Sequence, residues 1–347
     1  MNRSISSGIL ALAFIIGGCS PGGTADETST TTGEPVSTTS ITESTTMEAS
    51  TTTVVEDTTT TVPRTRLEEW GFPVSDEYVV ETVVTDLDAG TGGLAVAADG
   101  TMYMGDFGYS GHPGDTVLRI SADGIVEPFS THEDMDSLTM TTFASDGSIH
   151  QSSYGSDRVF RIGVDGSAEL IAEGIRGPTG IVELDDGTLV VEGYDSRALY
   201  KVSTDGTTEE WVVDTRMNGP NGLTMGPDGT LYVICHRNGD LWSVDPDGSL
   251  EKLFAFPAPT AHGVYHDGGV FITSRTGFVV FRYDVASGDV VIIAGSGEAG
   301  TADGRGSDAS FGRLNAITLG PDGAFYVNHG DAAGVAPVSI RRIVHSP

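Results

Sequence analysis

The sequence predicts an all-β protein, a six-bladed β-propeller, on three observations: a repeat of about 40 residues marked by Asp-Gly pairs, four short apolar segments in each repeat, and a spare strand ahead of the first. The leading Asp-Gly pairs begin at Asp99, Asp146, Asp186, Asp228, Asp267 and Asp322, in steps of 47, 40, 42, 39 and 55 residues. Asp-Gly suits a two-residue hairpin turn, because both central positions tolerate positive φ. The flanks read as strands, for example 94–97 with 102–104 and 181–184 with 189–191. A second series, at Asp123-Gly124, Asp165-Gly166, Asp205-Gly206, Asp247-Gly248 and the variant Ser287-Gly288, follows its partner by 19 to 24 residues. Third strands such as 158–162, 198–202 and 241–244 precede this series, and fourth strands such as 170–172 and 211–213 follow it.

The sixth unit, residues 314–343, runs out after its third strand, whereas an apolar strand at 78–84 precedes the first unit. That strand is expected to complete the last blade, closing the ring and removing edges that would invite aggregation.

The N-terminal end reads differently. Arg3, the apolar run 9–16 and Cys19 have the layout of a signal peptide, and the run is too short to cross a bilayer. Ile16-Gly17-Gly18-Cys19 resembles the lipobox of bacterial lipoproteins, which implies cleavage before Cys19 and a diacylglyceryl group on its thiol. From Gly23 to Pro63 the chain is mostly Thr and Ser with scattered acids, too poor in large apolar side chains to offset the entropy of ordering. The expected organisation is a lipoprotein signal peptide over 1–18, a Thr-rich disordered stalk over 19–66 and the propeller over 67–347, anchored by lipid on the extracytoplasmic side of the cell membrane. Cys235 is the only other cysteine, so no internal disulfide is expected.

A net charge of −31, with 49 acidic against 18 basic residues, excludes nucleic acid and anionic headgroups as partners. The expected partner is a small molecule or a protein, the membrane is touched through the lipid only, and the chain is expected to be a monomer.

Gly177-Pro178-Thr179-Gly180-Ile181 through Asp195 to Val202 resembles an NHL repeat, as does Ala294-Gly295-Ser296-Gly297 through Ile340-Arg341-Arg342-Ile343. Gly219-Pro220-Asn221-Gly222-Leu223 with Pro227 to Val233 is similar to the SMP-30/gluconolactonase group. The resemblance spans residues 77–345 and implies the propeller fold. It leaves activity open, since such propellers include binding scaffolds, lyases and hydrolases.

The Asp-Gly turns mark one plain face. The opposite face receives the longer connections 107–115, 130–139 and 295–313, where binding is expected. Around the channel on that face the alignment places Gly92, Thr139, Thr179, Asn221, His262 and Asn315 at the starts of first strands. At the ends of second strands it places Asp106, Gln151, Glu192, His236, Arg275 and His329. Asn221, Asn315, Asp106 and Arg275 are the candidate ligand-binding residues. His236, His262, His329 and Glu192 are the catalytic candidates, with an ion pair to Arg176 or Arg197 as the bland alternative for Glu192.

Asn221 and His262 are candidate ligands for a divalent metal, Ca or Zn, whose bound water could act in lyase or hydrolase chemistry. Gluconolactonase-like enzymes hold their cation with one Glu, two Asn and one Asp. Only Asn221 matches, with Thr179, His262 and Thr91 or Gly92 standing at the other places. No repeated His motif of streptogramin-lyase type and no phosphate loop or Gly-x-Ser-x-Gly elbow occurs. Two readings follow: a surface-tethered module binding a small molecule, saccharide or protein, and a metal-assisted, lactonase-like lyase or hydrolase at the channel mouth.

Overall fold

The computed structural model describes residues 65–332 and 336–347, so the signal peptide, Cys19 and nearly all of the stalk lie outside the described residues. Six antiparallel sheets surround a central channel. Blade one comprises Thr91–Val96, Met102–Asp106, Thr116–Ile120 and Val126–Thr131 from the axis outward, and blades two to five repeat that order over 138–173, 178–213, 220–255 and 260–294.

Blade six takes Leu314–Leu319, Phe325–His329 and Val338–His345 from the C-terminal end of the chain and its fourth strand, Tyr78–Leu87, from the N-terminal side. The closing pair runs from Tyr78 opposite His345 to Leu87 opposite Val338, with irregularities between Thr82 and Val84 and between Val84 and Leu87. Closure by the N-terminal strand is therefore as predicted, with one addition. Gly304–Arg305, within the long connection 295–313, pairs with Val79 and Val80 and makes this blade five-stranded.

The turn chemistry differs in detail from the expectation. In most Asp-Gly turns only the glycine has positive φ, and its N–H bonds a carbonyl three residues back, as from Gly100 to Ala97 and from Gly187 to Leu184. This is the longer hairpin loop that ends in a left-handed glycine. The aspartate instead accepts the N–H two residues on, as Asp99 does from Thr101 at 2.9 Å. Only Asp267-Gly268 has both residues at positive φ and forms the two-residue turn.

Second and third strands are buried on both faces, as in Leu189–Gly193 and Val279–Asp284. Apolar clusters lie between neighbouring blades: Ile234 and Leu241 of blade four meet Ile272 and Phe281 of blade five, and Phe271 meets Phe325 of blade six. Close to the axis the backbones leave no room for side chains. A Cβ on Gly92 would stand 2.0 Å from the Gly105 carbonyl oxygen and 2.5 Å from that of Leu138.

A short helix, Arg66–Trp70, precedes the closing strand; sequence reading missed it. It is held by a Thr65/Glu68 capping box and stopped by Gly71 at φ 70°. Trp70 and Phe72 pack on Phe281 of blade five, each with ring centroids 5.8 Å away.

If the closing pair holds the ring, Ile340→Ala, at a fully buried position of that pair, is expected to cost about 2–5 kcal/mol in urea unfolding. Val126→Ala, on an exposed outer strand, is expected to cost less than about 0.5 kcal/mol.

Candidate functional site

On the face opposite the Asp-Gly turns the channel opens into a cavity of about 230 Å³. Its floor is a ring with one residue from each blade: Thr91, Thr139, Thr179, Asn221, His262 and Asn315. This matches the predicted ring except that Thr91 replaces Gly92. Several members tie one blade to the next. Thr139 Oγ1 donates to the Pro178 carbonyl at 2.9 Å, Thr179 Oγ1 to that of Pro220 at 2.9 Å, and Asn315 Nδ2 to that of Thr91 at 2.8 Å.

The wall is a second ring, Phe107, Tyr154, Tyr194, His236 and Arg275, each the first residue after its blade's second strand. Each lies eight residues after the leading aspartate of its blade, and the sixth equivalent is Gly330. Leaving the sheet there frees the side chain to turn over the channel. Sequence reading found His236 and Arg275 but missed the three aromatics, although the constant spacing from Asp-Gly marks them.

The aromatics stand side by side, with Tyr154 and Tyr194 in a T-shaped pair and the other neighbours tilted. Ring centroids are 6.1 Å apart for Phe107 and Tyr154, 5.9 Å for Tyr154 and Tyr194, and 5.9 Å for Tyr194 and His236. Tyr154 Oη donates to Asp195 at 3.0 Å. Arg237 lies over the Tyr194 ring at 4.8 Å and donates to its oxygen at 3.2 Å. The Tyr194 hydroxyl also hydrogen-bonds His236 Nδ1, 2.8 Å away, and so orients the imidazole.

His262 is 2% exposed and its Nδ1 has no partner. Burial, then the charge of Arg275, then His236 hold its pKa down to about 4. His236 is likewise lowered to about 4 by burial and by the charges of Arg275, Arg237 and Arg313. Both imidazoles are neutral at pH 7. Arg275 donates Nη1 to Asn315 Oδ1 at 2.8 Å, and burial with the like charge of Arg313 lowers its pKa.

The other candidates stand elsewhere. Glu192 is fully buried outside the cavity lining, where it accepts from Gly180 N at 3.1 Å and Thr179 Oγ1 at 3.4 Å. It pairs with neither Arg176 nor Arg197, its Oε1 has no partner, and burial pushes its pKa up to about 8. His329, 1% exposed, is held inside blade six by the Gly312 amide at 3.1 Å and Arg341 at 3.4 Å, and does not join His236 and His262. Asp106 braces the connection after it, accepting from Gly90 at 2.6 Å and Gly108 at 2.7 Å and meeting His112 at 2.8 Å. Gln151 is buried and bonded to Thr141 at 2.7 Å. Cys235 is packed in the core, with burial raising its thiol pKa.

Asn221 and His262 share the floor, but among the described residues no three His, Cys, Asp or Glu side chains are placed to hold a metal ion. The lining holds two histidines and two arginines and no carboxylate. That donor set does not fit a divalent cation.

The fold and this cavity define a six-bladed propeller with a channel-mouth pocket. The chain belongs to the virginiamycin B lyase family, whose model matches residues 77–299, the closing strand and the first five blades. Comparison with curated proteins finds no matching relative. Among solved structures, an auxiliary nutrient binding protein from Bacteroides thetaiotaomicron is similar at 13% identity and a TM-score of 0.64, covering 79% of this chain and 77% of that one. A gluconolactonase from Xanthomonas campestris gives 17% and 0.57, covering 76% and 88%. A virginiamycin B lyase from Staphylococcus aureus gives 17% and 0.53, covering 72% and 82%. At these identities the structural likeness shows the fold alone.

The buried groups set a pH dependence of stability. Between the ordinary 4.5 and about 8, native Glu192 keeps a proton that the unfolded chain has shed, so stability falls as pH rises through that window. Between 6.5 and about 4 the unfolded chain binds protons that native His236 and His262 refuse, so stability falls on acidification. Each group contributes at most about 1.4 kcal/mol per pH unit. Stability is expected to peak near pH 6.5, and Glu192→Gln to flatten the alkaline limb and to steepen the acid limb between pH 4.5 and 6.5, in urea unfolding at pH 5, 6.5 and 8. An alkaline limb unchanged in that variant would count against the buried protonated carboxyl.

Proposed function

We propose that the channel mouth binds a small organic molecule with a flat face, and that the propeller serves as a receptor tethered to the extracytoplasmic side of the membrane through Cys19. The observation that carries the binding reading is the half-ring Phe107, Tyr154, Tyr194 and His236. Four successive blades put a flat side chain at the same position, over a floor of hydroxyls and amides that can orient a ligand. The nutrient-binding propellers of the same fold support this reading.

Membership of a lyase family and one feature of the cavity favour a second reading, a lyase or hydrolase that uses no metal. His236 and His262 share the mouth as neutral imidazoles, the form a general base requires; Nδ1 of His262 has no protein partner, and Nδ1 of His236 is held by Tyr194. Virginiamycin B is the first substrate to offer, since the family carries its name.

A ligand-observed NMR screen of small aromatics and monosaccharides tests the binding reading. Tyr154→Ala and Tyr194→Ala are each expected to weaken the hits about 2- to 10-fold; hits insensitive to both would place binding elsewhere. Conversion of a hit or of virginiamycin B that is lost in His236→Gln would establish the enzyme instead. For the tether, Cys19→Ser is expected to move the protein from the membrane to the soluble fraction and to abolish labelling by radioactive palmitate. A wild-type protein that is already soluble and unlabelled would contradict it.

A further inference from the structure

We infer that the ligand of the channel mouth carries a carboxylate and that Arg275, backed by Arg313, is its anchor. The inference rests on the binding reading proposed above and deepens it.

The chain has 49 acidic residues and a net charge of −31, yet the cavity lining contains Arg275, Arg237, two imidazoles and no Asp or Glu. An acidic protein that lines one opening with guanidinium groups, with Asp195 meeting Tyr154 and Arg237 at the rim, offers an anion a cationic contact there.

Among the described arginines that pair with no Asp or Glu, namely Arg66, Arg176, Arg197, Arg275, Arg305 and Arg313, Arg275 is the one that lines the cavity. Arg158, Arg161, Arg216, Arg282, Arg341 and Arg342 each pair with an Asp or Glu. Arg237, at the rim, faces Asp195 at 3.8 Å. Arg275 meets no carboxylate among the described residues; its one protein acceptor is Asn315 Oδ1. Asn315 is fixed in that role, because its Nδ2 donates to the carbonyls of Thr91 at 2.8 Å and Gly92 at 3.2 Å. A guanidinium has five N–H donors, so most of the fork is left for the cavity.

Arg313 adds an independent observation. Its charge acts on both Arg275 and His236, and its buried Nε has no partner. A second positive charge near Arg275 strengthens the attraction of that side of the mouth for an anion.

A carboxylate suits the place better than a phosphate. The guanidinium fork matches a carboxylate with two parallel hydrogen bonds. Among the described residues no α-helix begins at the mouth to add further charge for a dianion. The volume of about 230 Å³ holds roughly eight water-sized units, so a benzoate-sized acid fits with its ring on Tyr154 and Tyr194 and its charge on Arg275.

The test uses the purified full-length protein and three probes of one shape, benzoate, benzamide and phenylphosphonate, by calorimetric titration. Benzoate is expected to bind at least about tenfold more tightly than benzamide. Arg275→Gln is expected to erase that preference by weakening benzoate alone, Arg275→Lys to retain part of it, and Tyr194→Ala to weaken both ligands. Thermal unfolding of each variant, and the retained benzamide affinity, separate loss of the anchor from loss of the fold. Equal affinity for benzoate and benzamide would overturn the carboxylate inference and leave the pocket standing. Tighter binding of phenylphosphonate would overturn it in favour of a phosphoryl group. Failure of all three probes to bind would overturn the pocket reading, and this inference with it.

Discussion

The strand pairing of Tyr78–Leu87 with Val338–His345 joins the two ends of the propeller, and the geometry of the channel depends on it. A ring of sheets has no defined diameter until it is closed; once closed, the inner strands are brought so near that at some positions only backbone fits between them. Gly92, whose missing Cβ leaves room for the carbonyls of Gly105 and Leu138, shows how little space remains. The floor hydroxyls and amides then bond from blade to blade, as Thr139 does to Pro178 and Asn315 to Thr91. The same residues thus fix the ring and line its opening, which gives the site a rigid base.

On that base each blade presents one position to the mouth, the first residue after its second strand. The backbone there is equivalent from blade to blade, so the side chains carry the difference. Blades one to four supply Phe107, Tyr154, Tyr194 and His236, a continuous row of planar side chains, and blade five supplies Arg275. Gly330 leaves the sixth place open. The pocket is therefore lopsided, flat on one side and cationic on the other, in a protein that is otherwise strongly acidic. The carboxyl of Glu192 is kept out of that field: it is buried below the floor, and burial keeps it protonated near neutrality.

Much of the architecture was legible because propeller blades repeat in sequence as well as in space. Asp-Gly recurs wherever a hairpin turn needs a left-handed glycine, so its spacing counted six blades and identified the closing strand. The helix Arg66–Trp70 and the pairing of Gly304–Arg305 were not legible, since neither repeats and each depends on a neighbour distant in the chain. For the site, aligning the starts of first strands gave five of the six floor residues. Aligning the ends of second strands mixed wall positions such as His236 and Arg275 with residues that face away from the cavity, Glu192, Asp106 and His329. These three stand one or two residues before the wall position, still inside the sheet, whereas the wall residue is the first to leave it. Counting eight residues from each leading aspartate would have kept the register and found the three aromatics.

A crystallographic fragment screen of the propeller, soaked with flat aromatic acids and their neutral analogues, tests the central claim most directly. The account predicts that fragments gather in the channel mouth, with rings against Tyr154 and Tyr194 and acid groups on Arg275. Fragments that leave the mouth empty and settle instead in the grooves beside the Asp-Gly turns would contradict it.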